Sequence, residues 1–363
     1  MSKAKKPLKV KNAELVDAQS NNNTIIVLDL YRKHCKNAGI VPDKEIEACF
    51  STSENPNNGK QLIVTDLLTN ANFHLKALSR SCLGEDPRYY SMLQTNKEQD
   101  ASTNDKEQTS VLVRYSGLKE IRIWRTTIGQ EGIRAIAQLF DRGGKHINIT
   151  YLEMLDCGLD EVGARLLGRS FSRGMNNSII TLTLDCNPKL GNVGVSSLCE
   201  GIRTNSSILN ISLARCNIES KGAKAISHVL KSKLSKLQTL DLTGNNIGGI
   251  GLAELSIGLI KNKFLTTLIL AENNIASSNL DGAGLRSLAK AIALSNVKSL
   301  DISNNPIGEM SSNLLPELGV ENKSLSFIKV DPSIPNNFFT ALYRSRSADS
   351  KSKGKKKKKK KKK

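Results

Sequence analysis

From residue 118 onward the chain alternates between two hydrophobic rhythms. A short run with apolar residues at every second position is followed by a longer stretch with apolar residues three and four apart. The first rhythm is that of a strand with one buried face, the second that of a one-sided helix. LQTLDLTGNNI, beginning at Leu237, aligns with LTTLILAENNI from Leu265 and VKSLDISNNPI from Val297. Upstream, the same register is found in ILNISLARCNI from Ile208, IITLTLDCNPKL from Ile179, ITYLEMLDCGL from Ile149 and LKEIRIWRTTI from Leu118. A partial eighth unit, LSFIKVDPSI, begins at Leu325. Successive starts lie 31, 30, 29, 29, 28, 32 and 28 residues apart. The helical stretches open on a glycine (Gly132, Gly163, Gly194, Gly222, Gly251 and Gly284), which suits close backbone approach at the start of a helix.

These units follow the pattern L-x-x-L-x-L-x-x-N/C-x-L. The ninth position reads Thr126, Cys157, Asn187, Cys216, Asn245, Asn273, Asn305 and Ser333. An inward asparagine there can bond to backbone groups that the bending chain leaves unpaired, and cysteine or threonine fills the same space with weaker donors. The repeats over roughly 118–333 resemble the ribonuclease-inhibitor-like leucine-rich-repeat superfamily. That resemblance implies an α/β solenoid, a horseshoe with a parallel concave β-sheet and convex helices, of about seven full repeats plus caps.

The flanks depart from the rhythm, as capping units do. Residues 1–23 read as a basic disordered arm. Residues 24–110 read as an N-terminal helical cap or degenerate repeat: two short helices around Gly39 and Pro42, then QLIVTDL at 61–67 and a helix through Phe73, Leu75 and Leu78. The stretch 94–110 is polar with no apolar period and reads as a disordered insertion. The solenoid with its C-terminal cap is expected over 111–343, with NNFFTALY at 336–343 as a closing helix, and 344–363 as a disordered polylysine tail.

Charge changes the picture only once it is located. The chain carries a formal +19, of which +12 lies in residues 344–363 and +5 in residues 1–11, leaving +2 for everything between. A basic isoelectric point therefore describes the arms and not a basic face. Seven cysteines, an odd number without a CxxC pair, argue against a disulfide framework or zinc site and read as buried thiols. His34, His74, His146 and His228 have no spacing that makes a metal pair or a catalytic triad, and His228 reads as a surface or packing residue. The GK at Gly354 lacks the strand–loop–helix setting of a phosphate loop. No cofactor or metal is expected. With no apolar run of membrane-spanning length and no signal-like segment, the chain reads as soluble and intracellular.

Function in such a fold lies on faces. Inward leucines put the alternating residues of each strand on the concave side. One outward column reads Glu120, Tyr151, Thr181, Asn210, Thr239, Thr267, Ser299 and Phe327. The next reads Arg122, Glu153, Thr183, Ser212, Asp241, Ile269, Asp301 and Lys329. The third reads Trp124, Leu155, Asp185, Ala214, Thr243, Ala271, Ser303 and Asp331. Large side chains gather at the two ends. Trp124, Tyr151 and Leu155 form a candidate partner anchor, since tryptophan and tyrosine are favoured hot spots; burial of Trp124 by the N-terminal cap is the other reading. Phe327 is either an anchor or covered by 336–343. The partner-binding set expected here is thus Arg122, Trp124, Tyr151, Glu153, Leu155, Asp185, Asp241, Ile269, Asp301, Phe327 and Lys329. In the tail, Lys355, Lys356, Lys357, Lys358, Lys359, Lys360, Lys361, Lys362 and Lys363 form a polycation that would be drawn to nucleic acid, to acidic tubulin tails on microtubules or to anionic lipid.

Tyr31-x-x-x-Cys35, followed by Val41-Pro42 and QLIVTDL, is similar to the leading segment of centrosomal and ciliary members of the superfamily. Ribonuclease inhibitors are acidic and cysteine-rich, which this chain is not. The GTPase-activating protein for Ran shares the repeat length, and Arg125 and Arg215 lie beside strand ends, but its tail is acidic where this one is basic. The sequence expectation is a non-enzymatic scaffold with a protein partner on its concave face, cytoplasmic at the cytoskeleton or cilium. A nuclear adaptor and a Ran-type activator are the alternatives.

Overall fold

A computed structural model describes residues 24–51, 60–65, 70–83, 115–141, 148–275, 281–307 and 325–331. Both basic arms, the 94–110 insertion and the 336–343 segment lie outside the described residues. The chain divides into two units, Met1–Glu153 with Met175–Ile179, and Met154–Gly174 with Ile180–Lys363.

In the first unit, helix α1 (24–37) is followed by a turn at Gly39 and by α2 (Lys44–Phe50). Asp43 starts α2, its side chain accepting from the Ile46 N–H, which supplies one partner that a helix N-terminus lacks. Next come β1 (Gln61–Thr65), α3 (Ala71–Cys82), β2 (Glu120–Trp124) and α4 (Gln130–Asp141). β1 lies parallel to β2 in a register running from Gln61 opposite Glu120 to Thr65 opposite Trp124. β1 and α3 are therefore a strand and a helix of the same kind as those that follow. Tyr31, Cys35 and His74 are buried between α1 and α3, with the Tyr31 hydroxyl 2.7 Å from His74 Nδ1.

Strand β3 (Tyr151–Leu155) crosses the boundary between the units. The second unit continues with α5 (Glu161–Ser170), β4 (Thr181–Thr183), α6 (Gly191–Ile202), β5 (Asn210–Ser212), α7 (Ser220–Lys231), β6 (Thr239–Asp241), α8 (Gly248–Lys261), β7 (Thr267–Ile269), α9 (Asp281–Leu294), β8 (Ser299–Asp301) and β9 (Phe327–Lys329). β4 through β9 pair in chain order, all parallel. The inward leucines and isoleucines of these strands, such as Leu182, Ile211, Leu240, Leu268 and Leu300, are buried against helices that pack side by side in the same order. This is the leucine-rich-repeat solenoid, an α/β fold, that the period-two and period-3.6 patterns predict.

Three features hold one repeat to the next. The first is the ninth-position ladder. Asn187 accepts from the N–H groups of Cys157 and Leu159 in the preceding repeat and donates to the carbonyls of Met154 and Leu184. Asn245 does the same for Cys216 and Ile218, and Asn305 for Asn273 and Ile275. Cys216 takes the weaker form, its thiol 3.1 Å from the Leu184 carbonyl. The second is a ladder at the opposite end of the repeats, which the sequence reading missed. Buried Asn205 accepts from Ser207 and Ile208 and donates to the Phe171 carbonyl, and Asn262 accepts from Phe264 and Leu265 and donates to that of Leu230. The Asn205-Ser206-Ser207 string is thus a structural turn, with Asn205 only 2% exposed. The third is close contact between helix backbones: a Cβ on Gly201 would lie 1.7 Å from the Gly168 carbonyl oxygen.

The residue before the ninth position takes a left-handed backbone in repeat after repeat: Arg125, Asp156, Cys186, Arg215, Gly244, Glu272 and Asn304 have φ between 47° and 70°. Only Gly244 is the residue type that adopts this freely. The sharp bend it makes carries the chain out of the sheet and towards the helix.

Candidate protein-interaction face

The strand register places the outward residues of the second unit in straight rows. Thr183, Ser212, Asp241, Ile269, Asp301 and Lys329 follow one another across β4 to β9, and Thr181, Asn210, Thr239, Thr267, Ser299 and Phe327 form the neighbouring row. These are the first two columns read from the sequence. The third column needs correction: Ala271 and Ser303 are buried, 6% and 3% exposed, and are not surface positions. β7 and β8 have already ended at Ile269 and Asp301, so the next outward position belongs to the turn, where a small side chain sinks below the surface.

The aspartates on this face, Asp185 just after β4 and Asp241 and Asp301 in the first row, are tied locally. Asp185 accepts from the Ser212 hydroxyl at 2.6 Å and from the Ala214 N–H. Asp241 accepts from both the N–H and the hydroxyl of Thr243, and Asp301 from those of Ser303. Asp301 also pairs with Lys329 at 3.1 Å. Each carboxylate stands on the sheet's solvent face, held in one orientation. Ile269 stands half-buried between Asp241 and Asp301, and Phe327, 54% exposed, ends the adjoining row.

In the first unit, the strand faces build a second cluster. The Arg122 guanidinium is 3.0 Å from Glu120 and 3.8 Å from Glu153, and sits 4.6 Å over the Tyr151 ring. The Tyr151 hydroxyl donates to Glu153, and the Gln61 amide donates to Glu120. Two carboxylates against one guanidinium leave this cluster with a net negative charge. Gln61 and Glu120 were not among the expected site residues. The repeat period exposes Glu120, and the reading of 61–67 as part of a degenerate repeat was the one signal for Gln61, without a register to set it opposite Glu120. Trp124 is half-buried on the same strand, and its indole Nε1 is buried with no hydrogen-bond partner, as is Arg122 Nε. Leu155 ends β3 half-buried.

Charge is segregated in a way that the linear count hides. The near-neutral body is not uniformly neutral. The sheet face of the second unit carries Asp185, Asp241 and Asp301, while the solvent side of α5 to α7 and the loops that close them carries Arg165, Arg169, Arg173, Arg203, Lys221, Lys224, Lys231, Lys233 and Lys236 against Glu161 and Glu200. The expectation that no basic face exists outside the arms is therefore wrong, because a sum over sequence cannot distinguish the two sides of a repeat.

Six of the seven cysteines are buried free thiols, and Cys186 is half-buried. Burial pushes the Cys199 and Cys216 thiols up to about 12, which makes them poor nucleophiles. Among the described residues no cluster of His, Cys, Asp and Glu is arranged to hold a metal, and no helix is long and apolar enough to cross a membrane.

Comparison with known proteins agrees with this architecture. A Leucine Rich repeat model matches residues 204–227 and 233–256, and a second Leucine Rich Repeat model matches 296–319. The human NACHT, LRR and PYD domains-containing protein 5 is 30% identical over 187 residues, 51% of this chain and 15% of that protein. Pig ribonuclease inhibitor is 30% identical over 162 residues, 44% of this chain and 34% of the inhibitor. The chain thus spans about a third or less of the length of these two relatives. Leiomodin-1 actin-binding site 2 aligns with 54% of this chain and 95% of its own at 17% identity and a TM-score of 0.33, a likeness too loose for inference. The chain carries leucine-rich repeats, and over 51% and 44% of its length it is similar to these two leucine-rich-repeat proteins.

Proposed function

We propose that this protein is a non-catalytic scaffold that binds a protein partner on the solvent face of its sheet. The observation that carries this reading is the in-register row Asp241, Ile269, Asp301 and Lys329 beside exposed Phe327. Fixed carboxylates around an apolar centre, with an aromatic side chain at the margin, have the composition of an interface core with a polar rim. A partner with basic side chains flanking an apolar residue fits it. The Arg122–Tyr151–Glu153 cluster and Trp124 offer a second anchoring region with the same negative bias.

Placement at the cytoskeleton or cilium is part of the proposal. It is supported by the Tyr31, Cys35 and Pro42 segment, whose first two members are buried, and by the lysines 355–363, which would hold the scaffold to an acidic surface such as tubulin tails. The test is affinity capture with the full chain, an Ile269→Arg, Phe327→Ala variant and a Trp124→Ala variant, each first checked by its melting curve. Partners recovered with wild type and lost with the double variant support the sheet-face reading, and an unchanged set of partners rejects it. Trp124→Ala separates the two roles of that side chain: loss of partner at an unchanged melting temperature makes it an anchor, and a lower melting temperature with intact binding makes it packing. Localisation confined to the nucleolus or the plasma membrane would reject the cytoskeletal placement.

A further inference from the structure

The solvent side of α6 and α7 encloses a groove of about 480 Å³ that the sheet-face reading does not use. Its walls are Arg203 and Glu200 from one helix and Lys221, Lys224 and His228 from the next. Arg203, Lys221, Lys224 and His228 are all exposed, and among the described residues none forms an ion pair. Lys221 stands in the first turn of α7, close to the positive end of the helix dipole and to the N-cap Glu219, and Lys224 stands one turn further on. Capping electrostatics explains a lysine such as Lys231 in the last turn of α7 and gives no reason for Lys221 or Lys224.

Further cations stand on the loops that follow α5 to α7, outside the groove lining. The Arg173 N–H donates to the Thr204 hydroxyl, and the Ser232 hydroxyl donates to the Arg203 carbonyl at 2.6 Å. These bonds bring the segments carrying Arg173, Arg203 and Lys231 to Lys233 together. The unpaired cations are therefore concentrated, not scattered.

We propose that this groove is a binding site for a phosphorylated segment of a protein. With Arg203, Lys221 and Lys224 against Glu200, its walls carry a formal +2 with histidine neutral, and a phosphoryl group carries about −1.5 to −2. A guanidinium fork with two ammonium groups is the donor set that recognises phosphate oxygens. A formal +2 matches a single phosphoryl group, not the many phosphates of a duplex or a bilayer.

The test uses the full chain with Lys355 to Lys363 changed to glutamine, so that the tail cannot supply the binding. Fluorescence anisotropy is measured with a degenerate peptide library bearing one central phosphoserine, with the same library bearing serine, and with a single-stranded oligonucleotide. The phosphorylated library is expected to bind at least tenfold tighter than its serine twin. Arg203→Gln with Lys224→Gln is expected to abolish that difference at an unchanged melting temperature, and Glu200→Gln to enlarge it. No preference for phosphate, a preference that survives the double substitution, or tighter binding of the oligonucleotide lost in the same variant would overturn the proposal. Trp124→Ala and the Ile269→Arg, Phe327→Ala variant are expected to leave phosphopeptide binding intact, so failure here and failure of the sheet-face reading are separate results.

Discussion

At the scale of single residues, the fold rests on side chains that satisfy backbone groups of a neighbouring repeat. Asn187 serves two N–H groups and two buried carbonyls at once. Asn187→Ala leaves those groups buried without partners, and each such group costs about 1–3 kcal/mol. The expected result is a drop in thermal midpoint of several degrees, larger than for Cys157→Ala, whose thiol makes a weak bond; parallel melts of the two variants check the order. The ninth-position asparagine was legible because it recurs at a fixed place in each strand unit. The second ladder, Asn205 and Asn262, was not, because it lies in loops whose lengths vary and where asparagine is common for many reasons. His74 gives a pH prediction. It is buried, and burial lowers its pKa from the ordinary 6.5, with Asp43 acting weakly in the opposite sense. The Tyr31 hydroxyl already accepts from the Asp43 N–H and so donates to His74 Nδ1, which suits a neutral ring. Below pH 6.5 the unfolded chain takes up a proton that the folded chain refuses, so stability is full above that pH and is lost as pH falls through it. Denaturant midpoints between about pH 7.5 and 5.5 are expected to fall in wild type and to flatten in His74→Gln; equal slopes in both would place the titration elsewhere.

At the scale of elements, helix spacing is set by glycine. Gly201 on α6 meets the Gly168 carbonyl of α5, and Gly284 on α9 meets the Gly249 carbonyl of α8, in each case at a distance no Cβ can occupy. Gly201→Ala must push the two helices apart and disturb the leucines beneath them. Overpacking of this kind costs roughly 1–3 kcal/mol. The expected sign is a clear loss of stability, although an alanine in a helix interior is by itself favourable by about 1 kcal/mol. An alanine variant at least as stable as wild type in urea would show that the close approach is not required. The sequence reading placed glycines at helix starts and explained them by close approach, but it overlooked Gly168 and Gly201, where the approach is tightest. Strand columns were legible for the same reason as the ladder: parallel strands at a fixed repeat length must align their outward positions. What failed was the third outward position, Ala271 and Ser303, because the point at which a strand bends into its turn is decided by backbone conformation and not by hydrophobic alternation. Gln61 beside Glu120 was out of reach for a different reason, since the first strand-and-helix unit stands outside the repeat period.

At the scale of the whole molecule, two properties come from stacking like units. One is the separation of charge by face. In the second unit each repeat contributes its strand to one side and its helix to the other, so a bias of a few residues per repeat puts Asp185, Asp241 and Asp301 on the sheet face and an excess of arginine and lysine on the solvent side of α5 to α7. The other is shared burial. Leu242 follows β6 directly and is fully buried, and its carbonyl accepts from both Asn245 and Asn273, so its position is read by its own repeat and by the next. Leu242→Asp puts a carboxylate where no cation is available to pair with it, at a cost of several kcal/mol. In a globular core that penalty would be felt everywhere at once. In a solenoid each unit is stabilised mainly by its neighbours, so the damage is expected to spread outward from β6. Hydrogen exchange would be measured strand by strand. Protection should fall most in β5, β6 and β7 and least in β1 and β2, with the spectroscopic melt becoming broader as well as shifting down. Uniform loss of protection along the chain would mean that the repeats fold as one cooperative block, and an unchanged melt would contradict the burial of Leu242 itself.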